Sequence, residues 1–339
     1  MIIKKILTNT GPKLLFNTQN FIKQKYLKEK NLILYSFGKK NKNKIFYIIR
    51  RSPGAGIFSN VTFVLNHLQI CHQFNFIPIV DMKNFTTIYN EKNKILNNLN
   101  AWEYYFQKLN KYSLEEAYKS KNVILSPNIF NQNMILDMTN QKIKKFFKKI
   151  KIKKYFINKS NSFYNKYFNY KDKILGVHFR GSTYKVARGH AFPATSKLMI
   201  KNIDKLIKKF KYNKIFLVTE ENCYLKLFKE KYGDKCIFYY SYRMNDIDSF
   251  KIYPRKMHRF KLGEESLIEA IILSKCHGLT YIKSNLVSAA MLLSKIRQNY
   301  HEIFLGLNSR NKFAARWLWY LKVYAPLIFG KLNVLRKKS

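Results

Sequence analysis

Residues 44–82 constrain the fold more than any other stretch of the chain. KIFYIIR (44–50) is an apolar run of strand length, and it ends in the Gly-rich loop RSPGAGIFSN (51–60). Apolar residues then recur at helical spacing from about Ile57 to Phe74, and IPIVDM (77–82) reads as the next buried strand. Strand, loop, helix and strand in that order make a β-α-β unit, whose two strands must run parallel. Residues 97–120 add helical and loop material, NVILS (122–126) is a short strand, and 141–171 has helical spacing and bridges two halves.

A second alternation begins at Lys173. KILGVHF (173–179), KIFLVTE (214–220), KCIFYYS (235–241) and GLTYIKS (278–284) read as strands. Helices are expected at 196–210, with a Ser or Thr available as cap, and at 222–232, 263–277 and 285–295. The expected class is therefore α/β, with two Rossmann-like domains facing across a cleft. Boundaries are expected at 1–170, 171–310 and a basic, aromatic tail at 311–339.

The 339 residues are 47% hydrophobic and carry a formal net charge of +45, so the chain is globular and favours anionic partners. An AT-rich coding sequence yields the same excess of Lys, Asn, Ile, Phe and Tyr. The basic residues are spread along the chain without a nucleic-acid-binding motif, so no specific nucleic-acid partner is expected. Cys71, Cys223, Cys236 and Cys276 are widely spaced, with no C-x-x-C pair, which suits a reducing compartment. The N-terminal MIIKKILTNTGPKLLF lacks a signal-peptide pattern, and no apolar run reaches the length of a membrane span. A cytoplasmic protein is expected. The tail RWLWYLKVYAPLIFGKLNVLRKK reads either as an interfacial anchor on an anionic inner membrane or as a helix docked on a domain.

Strand ends in open parallel sheets are where ligands bind, because loops and helix N-termini converge there. Arg180 lies just past KILGVHF, and its guanidinium can grip a phosphate with two parallel hydrogen bonds. Gly181 removes bulk beside it, while Ser182 and Thr183 offer hydroxyls. Glu269 interrupts an apolar stretch and needs donors, either from an internal ion pair or from the N–H groups of a purine. Ser284 and Asn285 open the helix after GLTYIKS, where amides attract phosphate; a plain Ser284 cap is the alternative. The loop with Arg51, Gly54, Gly56, Ser59 and Asn60 precedes a helix but is neither a P-loop nor G-x-G-x-x-G, and a tight β-α turn explains its glycines equally well. The Asp246-Ile247-Asp248 triplet has the form of a metal-carrying Asp-x-Asp, and the same triplet is common by chance in polar loops. His67, His72, His258, His277 and His301 have no compact ligand spacing and the cysteines give no metal framework, so no metal site is expected.

HFRGSTYK, then FLVTEE, then GEESLIEAIILSKCHGLTYIKSNLVSAA resembles the fucosyltransferase superfamily that contains the nodulation-factor and core α-1,6-fucosyltransferases. GAGIFSNVTFVLNHL, IPIVDM and NAWEYYF resemble a bacterial branch of it, and the resemblance spans roughly 44–295. It implies an inverting, metal-independent B-type glycosyltransferase with no cofactor, drawing on GDP-fucose. The second domain would hold the donor and the first much of the acceptor, a surface glycan or lipid-linked oligosaccharide. By resemblance, Arg180 neutralises the β-phosphate, His178 is the motif's His, and Thr219 and Glu220 match a Thr-Asp-Asp element, with Glu221 after them. Glu269 corresponds to the acidic residue reading base or ribose, and Ser284 to the diphosphate Ser, with Asn285 beside it. The cleft side falls to Arg51, Ser59 and Asn60 with Gly54 and Gly56.

Two departures stand out. Gly181 replaces the motif's second Arg and Thr183 its Asp, while the family's catalytic Glu falls near Arg188. His190 is the local replacement expected as base, with Lys185 and Arg188 able to supplement charge. A sugar-nucleotide- or glycan-binding protein without turnover, a metal-dependent Asp-x-Asp transferase and a nucleic-acid binder are the alternatives.

Overall fold

The computed structural model describes residues 32–127, 141–244 and 249–331, with backbone alone at 141, 142, 182 and 183. The described chain forms two compact units. One runs to Phe156 and includes Met257–Glu264; the other comprises Ile157–Lys256 and the chain from Glu265 onward.

In the first unit, β1 (Leu34–Tyr35), β2 (Phe46–Ile49), α1 (Ile57–Phe74), β3 (Ile77–Val80), α2 (Ala101–Tyr105), α3 (Leu114–Ala117), β4 (Val123–Leu125) and α4 (Gln141–Phe147) follow in order. Their sheet is ordered β1-β4-β2-β3, with β2 parallel to β3 and β4, and β1 antiparallel to β4. All four residues of β2 are buried, as an apolar run covered on both faces demands. Phe46, Ile48, Ile79, Leu114, Val123 and Leu125 share one apolar cluster. A cavity of about 220 Å³ beside the C-terminal half of α1 is lined by residues such as Cys71, His72 and Phe146.

Next come α5 (Lys154–Tyr167), β5 (Ile174–His178), α6 (Ser182–Lys185), α7 (Ser196–Phe210), β6 (Lys214–Val218), α8 (Asn222–Tyr232) and β7 (Cys236–Ile237). They are followed by α9 (His258–Leu273), β8 (Gly278–Tyr281), α10 (Asn285–Leu293), β9 (Asn299–Glu302), α11 (Lys312–Tyr324) and α12 (Pro326–Phe329). The second unit's sheet is wholly parallel and ordered β7-β6-β5-β8-β9. Every residue of β5 is buried, and Gly176 lets Leu273, Cys276 and Leu279 approach its backbone, where a Cβ would lie only 2.6 Å from Leu279 Cδ2. Thr195 caps α7 by accepting from Leu198 N, which is the cap anticipated from the sequence.

The direction of chain progression reverses between β5 and β8. From β5 the chain builds outward through β6 to β7, then returns to place β8 on the other side and β9 beyond it. Such a reversal opens a crevice at the carboxyl ends of the two strands.

Candidate nucleotide site

Three strand ends of the second unit finish level. His178 pairs with Val218 of β6 and with Tyr281 of β8, so Phe179-Arg180-Gly181, Thr219-Glu220-Glu221 and Ile282-Lys283-Ser284 emerge side by side. The structure thus brings the Arg180, Thr219–Glu220 and Ser284–Asn285 segments to one edge, Arg180 and Ser284 on the two strands that flank the reversal.

Arg180 is held by Tyr184 and Glu220. Its Cζ lies 4.0 Å from the Tyr184 ring centroid, Nη1 donates to the Tyr184 hydroxyl at 2.7 Å, and Nη2 pairs with Glu220 Oε1. Half of the Glu220 side chain is exposed, so that pair is solvent-screened. His178 is buried and hydrogen-bonds to the Ile282 backbone; burial first, then the Arg180 charge, push its pKa down to about 3, so the imidazole is neutral. Its position joins β5 to the chain leaving β8.

At Gly181 a Cβ would run into the Tyr224 ring and hydroxyl and into Glu221 Oε1. The space beside Arg180 is therefore filled by an aromatic ring and a carboxylate, both from the segment that follows β6. The side chains of Ser182 and Thr183, and Asp246 and Asp248 altogether, lie outside the described residues.

Ser284 accepts from Val287 N at 3.3 Å, which makes it the N-cap of α10. The positive end of that nine-residue helix sits at the same edge. Thr219 is buried, its hydroxyl accepting from Glu221 N at 3.4 Å.

Glu269 on α9 is buried, and its Oε1 accepts from Ser241 Oγ at 2.6 Å and Arg243 Nη2 at 3.3 Å. Arg243, equally buried, also donates to the carbonyls of Thr219, Ser241 and Tyr239 at 3.0, 2.8 and 2.9 Å. Burial is the largest influence on Glu269 and raises its pKa to about 7 against the opposing pull of Arg243 and Ser241. No hydrogen bond to Oε2 is present among the described residues.

His190 lies open at the surface with its ring against Tyr184, centroids 5.0 Å apart. The protein packed around it, then the charge of Arg180, lower its pKa. Its loop is braced by the chain after β9. Gly189 N donates to Ser309 O at 3.1 Å, Phe192 N to Gly306 O at 3.0 Å, and Asn308 N to His190 O at 2.7 Å.

In the first unit the loop residues also converge. Arg51 Nη1 donates to Ser59 Oγ at 3.2 Å and Asn60 Oδ1 at 3.1 Å, while Ala55 N donates to the same Oδ1 at 3.1 Å. Burial lowers the Arg51 pKa to about 10. Gly54 has φ +74°, which only glycine adopts without strain; Gly56 caps α1 with open space around it. Tyr89 OH accepts from Ile57 N at 2.8 Å, so part of the helix terminus is satisfied internally.

Sequence reasoning missed Tyr184, Tyr224 and Arg243. Only Tyr184 carried a local signal, standing one helical turn after Arg180. Among the described residues, no three His, Cys, Asp or Glu side chains converge as a metal site would require.

No family model matches the chain, and no curated protein sequence does. Among solved structures it is similar to the NodZ α-1,6-fucosyltransferase co-crystallised with GDP, at 14% identity and TM-score 0.46, covering 74% of this chain and 93% of that one. It is similar to fucosyltransferase NodZ from Bradyrhizobium at 16% identity and TM-score 0.47, with the same coverage. Similarity to POFUT1 in complex with GDP-fucose is 9% identical at TM-score 0.37, covering 77% of this chain and 74% of that one. All three of these solved structures are of fucosyltransferases.

Proposed function

We propose that the chain is an inverting, metal-independent glycosyltransferase that moves fucose from GDP-fucose to a surface glycan or lipid-linked oligosaccharide. One observation carries the reading: Arg180 and the N-terminus of α10 follow two adjacent parallel strands at the point where the sheet's strand order reverses. A diphosphate there meets a permanent cation and the positive end of a helix.

In the transfer, the acceptor oxygen forms a bond to the sugar's anomeric carbon as that carbon's bond to the β-phosphate oxygen breaks. The electron pair leaves with GDP, and the acceptor hydroxyl loses its proton. Arg180, released from Glu220, offsets the charge growing on the leaving phosphate. His190 is the proposed proton acceptor; its pKa is lowered by the surrounding protein and then by Arg180, which favours the unprotonated ring that a base requires. Glu269 Oε2 is the oxygen left for a guanine N–H, the other oxygen being taken by Ser241 and Arg243. Ser284 acts through the helix it caps, and the Arg51–Asn60 loop takes the acceptor's part in the first unit.

Calorimetry with GDP, followed by donor turnover, tests the reading. GDP binding and turnover that are both lost in Arg180→Ala support it; wild-type values in that variant overturn it. A second reading, nucleotide binding without turnover, is favoured by the space at Gly181. There Tyr224 and Glu221 stand where the motif's second Arg would reach. GDP binding without any donor turnover selects that reading.

A further inference from the structure

The helix α11 is apolar on two opposite faces, and only one of them is covered by other described residues. Its inner face buries Ala315 and Trp319; Trp319 Nε1 donates to Pro193 O at 2.9 Å, and Lys185 Nζ sits 4.8 Å from a Trp319 ring centroid. Asn308 Nδ2 donates to Ala315 O at 2.9 Å, and Asn311 caps the helix through Phe313 N at 2.9 Å. The helix is thus fixed by that face. The outer face displays Phe313, Trp317, Leu321 and Tyr324, spaced i, i+4, i+8, i+11, which is a single stripe. Next to it α12 adds Leu327 and Ile328, 101% and 75% exposed, and Lys322 Nζ ties this turn back through Gly330 O at 2.7 Å.

A water-facing helix does not ordinarily expose a continuous apolar stripe. The charge around it names the occupant. After Glu302 the sequence contains no Asp or Glu, while Arg310, Lys312, Arg316, Lys322 and Lys331 are followed by Arg336-Lys337-Lys338. A second copy seated on this face would set like charges against like. Nucleic acid would leave Leu327 and Ile328 uncovered. An anionic bilayer accepts both, with headgroups for the cations, the acyl boundary for the aliphatic side chains, and the interface for Trp and Tyr. No described helix is long and apolar enough to cross a membrane. The thirteen residues of α11 extend about 20 Å, a length suited to lying in the interface plane.

We propose that α11 and α12 dock the protein on anionic lipid, with Phe313, Trp317, Leu321, Tyr324, Leu327 and Ile328 entering the interface. Docking does not depend on the transfer reading. The loop that α11 grips at Pro193 and Lys185 is the one that carries Arg180 and His190, so a docked helix holds that loop at the bilayer surface.

Full-length protein is sedimented with vesicles of phosphatidylglycerol and phosphatidylcholine, and with phosphatidylcholine alone. The expected result is binding to the anionic vesicles only, weakening as salt rises. Trp102 and Trp319 are buried and Trp317 is 66% exposed, so a blue shift of emission on binding reports Trp317 and is lost in Trp317→Phe. Trp317→Ser with Leu327→Ser is expected to weaken partitioning by about tenfold or more. Lys312→Glu with Arg316→Glu should weaken it by about thirtyfold. All four positions are exposed, and an unchanged melting temperature verifies that the variants are folded. Equal binding to both vesicle types, or wild-type partitioning by both double variants, overturns the proposal. So does a concentration-dependent dimer that the Trp317/Leu327 variant dissolves.

Discussion

Tyr184 carries the guanidinium of Arg180 on its ring face and accepts a hydrogen bond from it at the hydroxyl, two contacts from one residue a helical turn away. The ring supplies a cation–π contact worth about 0.5–1 kcal/mol and fixes the plane of the fork, which a flexible ammonium would not inherit. Arg180→Lys is therefore expected to behave nearly as badly as Arg180→Ala in donor turnover, both falling by about 10²-fold or more. Tyr184→Phe keeps the ring and loses one hydrogen bond, and should cost no more than about tenfold. Turnover in each variant checks this; a Lys variant near wild type would mean that charge alone suffices.

Glu220 competes with an incoming phosphate for Arg180. The carboxylate pairs with Nη2 and is 52% exposed, so its release costs little. If it acts as a latch, Glu220→Gln removes the competitor and tightens GDP binding, by up to about fivefold. If Glu220 instead touches the donor, as the family resemblance implies, the same variant weakens binding. Calorimetry gives the sign directly.

Gly181 cannot regain a side chain without rearrangement, because Tyr224 and Glu221 fill the space its Cβ would enter. Gly181→Ala is expected to destabilise the fold by about 1–3 kcal/mol, the usual penalty for forcing bulk into packed surroundings. Tyr224→Ala should relieve much of that loss when combined with it. Thermal denaturation of the two single variants and the double variant measures the coupling; additive losses would show that Tyr224 is not the obstacle.

Where local signals set the structure, the sequence was readable. The helices at 57–74, 196–210 and 222–232 begin and end where the sequence indicated, the second of them with its expected Ser or Thr cap. KCIFYYS is a strand only over Cys236–Ile237, and beyond it the Arg243 guanidinium takes the carbonyls of Tyr239 and Ser241. A side chain thus replaces a strand partner. β9 is a mostly exposed edge strand with no apolar alternation to betray it, and α9 starts before its apolar stretch, at His258. The site divides in the same way. Arg180 and Ser284 follow apolar strands and could be found from position alone. The contacts of Arg243 with Thr219 and Glu269 span 24 and 26 residues, and Gly181 meets Tyr224 only through packing, so no short pattern encodes them.

Glu269 sets a pH dependence that a single substitution isolates. Its pKa is raised from 4.5 to about 7, chiefly by burial. Between those values the folded chain keeps a proton that the unfolded chain has released, so stability falls as pH rises through this window. The ordering is opposite for His67 and His178, whose pKa values are lowered from 6.5 to about 3; they favour the fold as pH rises between those limits. Both histidines are shared by wild type and Glu269→Gln, so their effect cancels in the difference. Gln is neutral throughout and resembles the protonated acid beside Arg243 and Ser241. The two proteins should therefore melt at similar temperatures near pH 4.5, the variant gaining steadily on wild type up to about pH 7 and holding its lead above it. Melting temperatures across that range check the sign. A variant that instead loses ground as pH rises would mean that the ionised Glu269–Arg243 pair outweighs the cost of burying its charge.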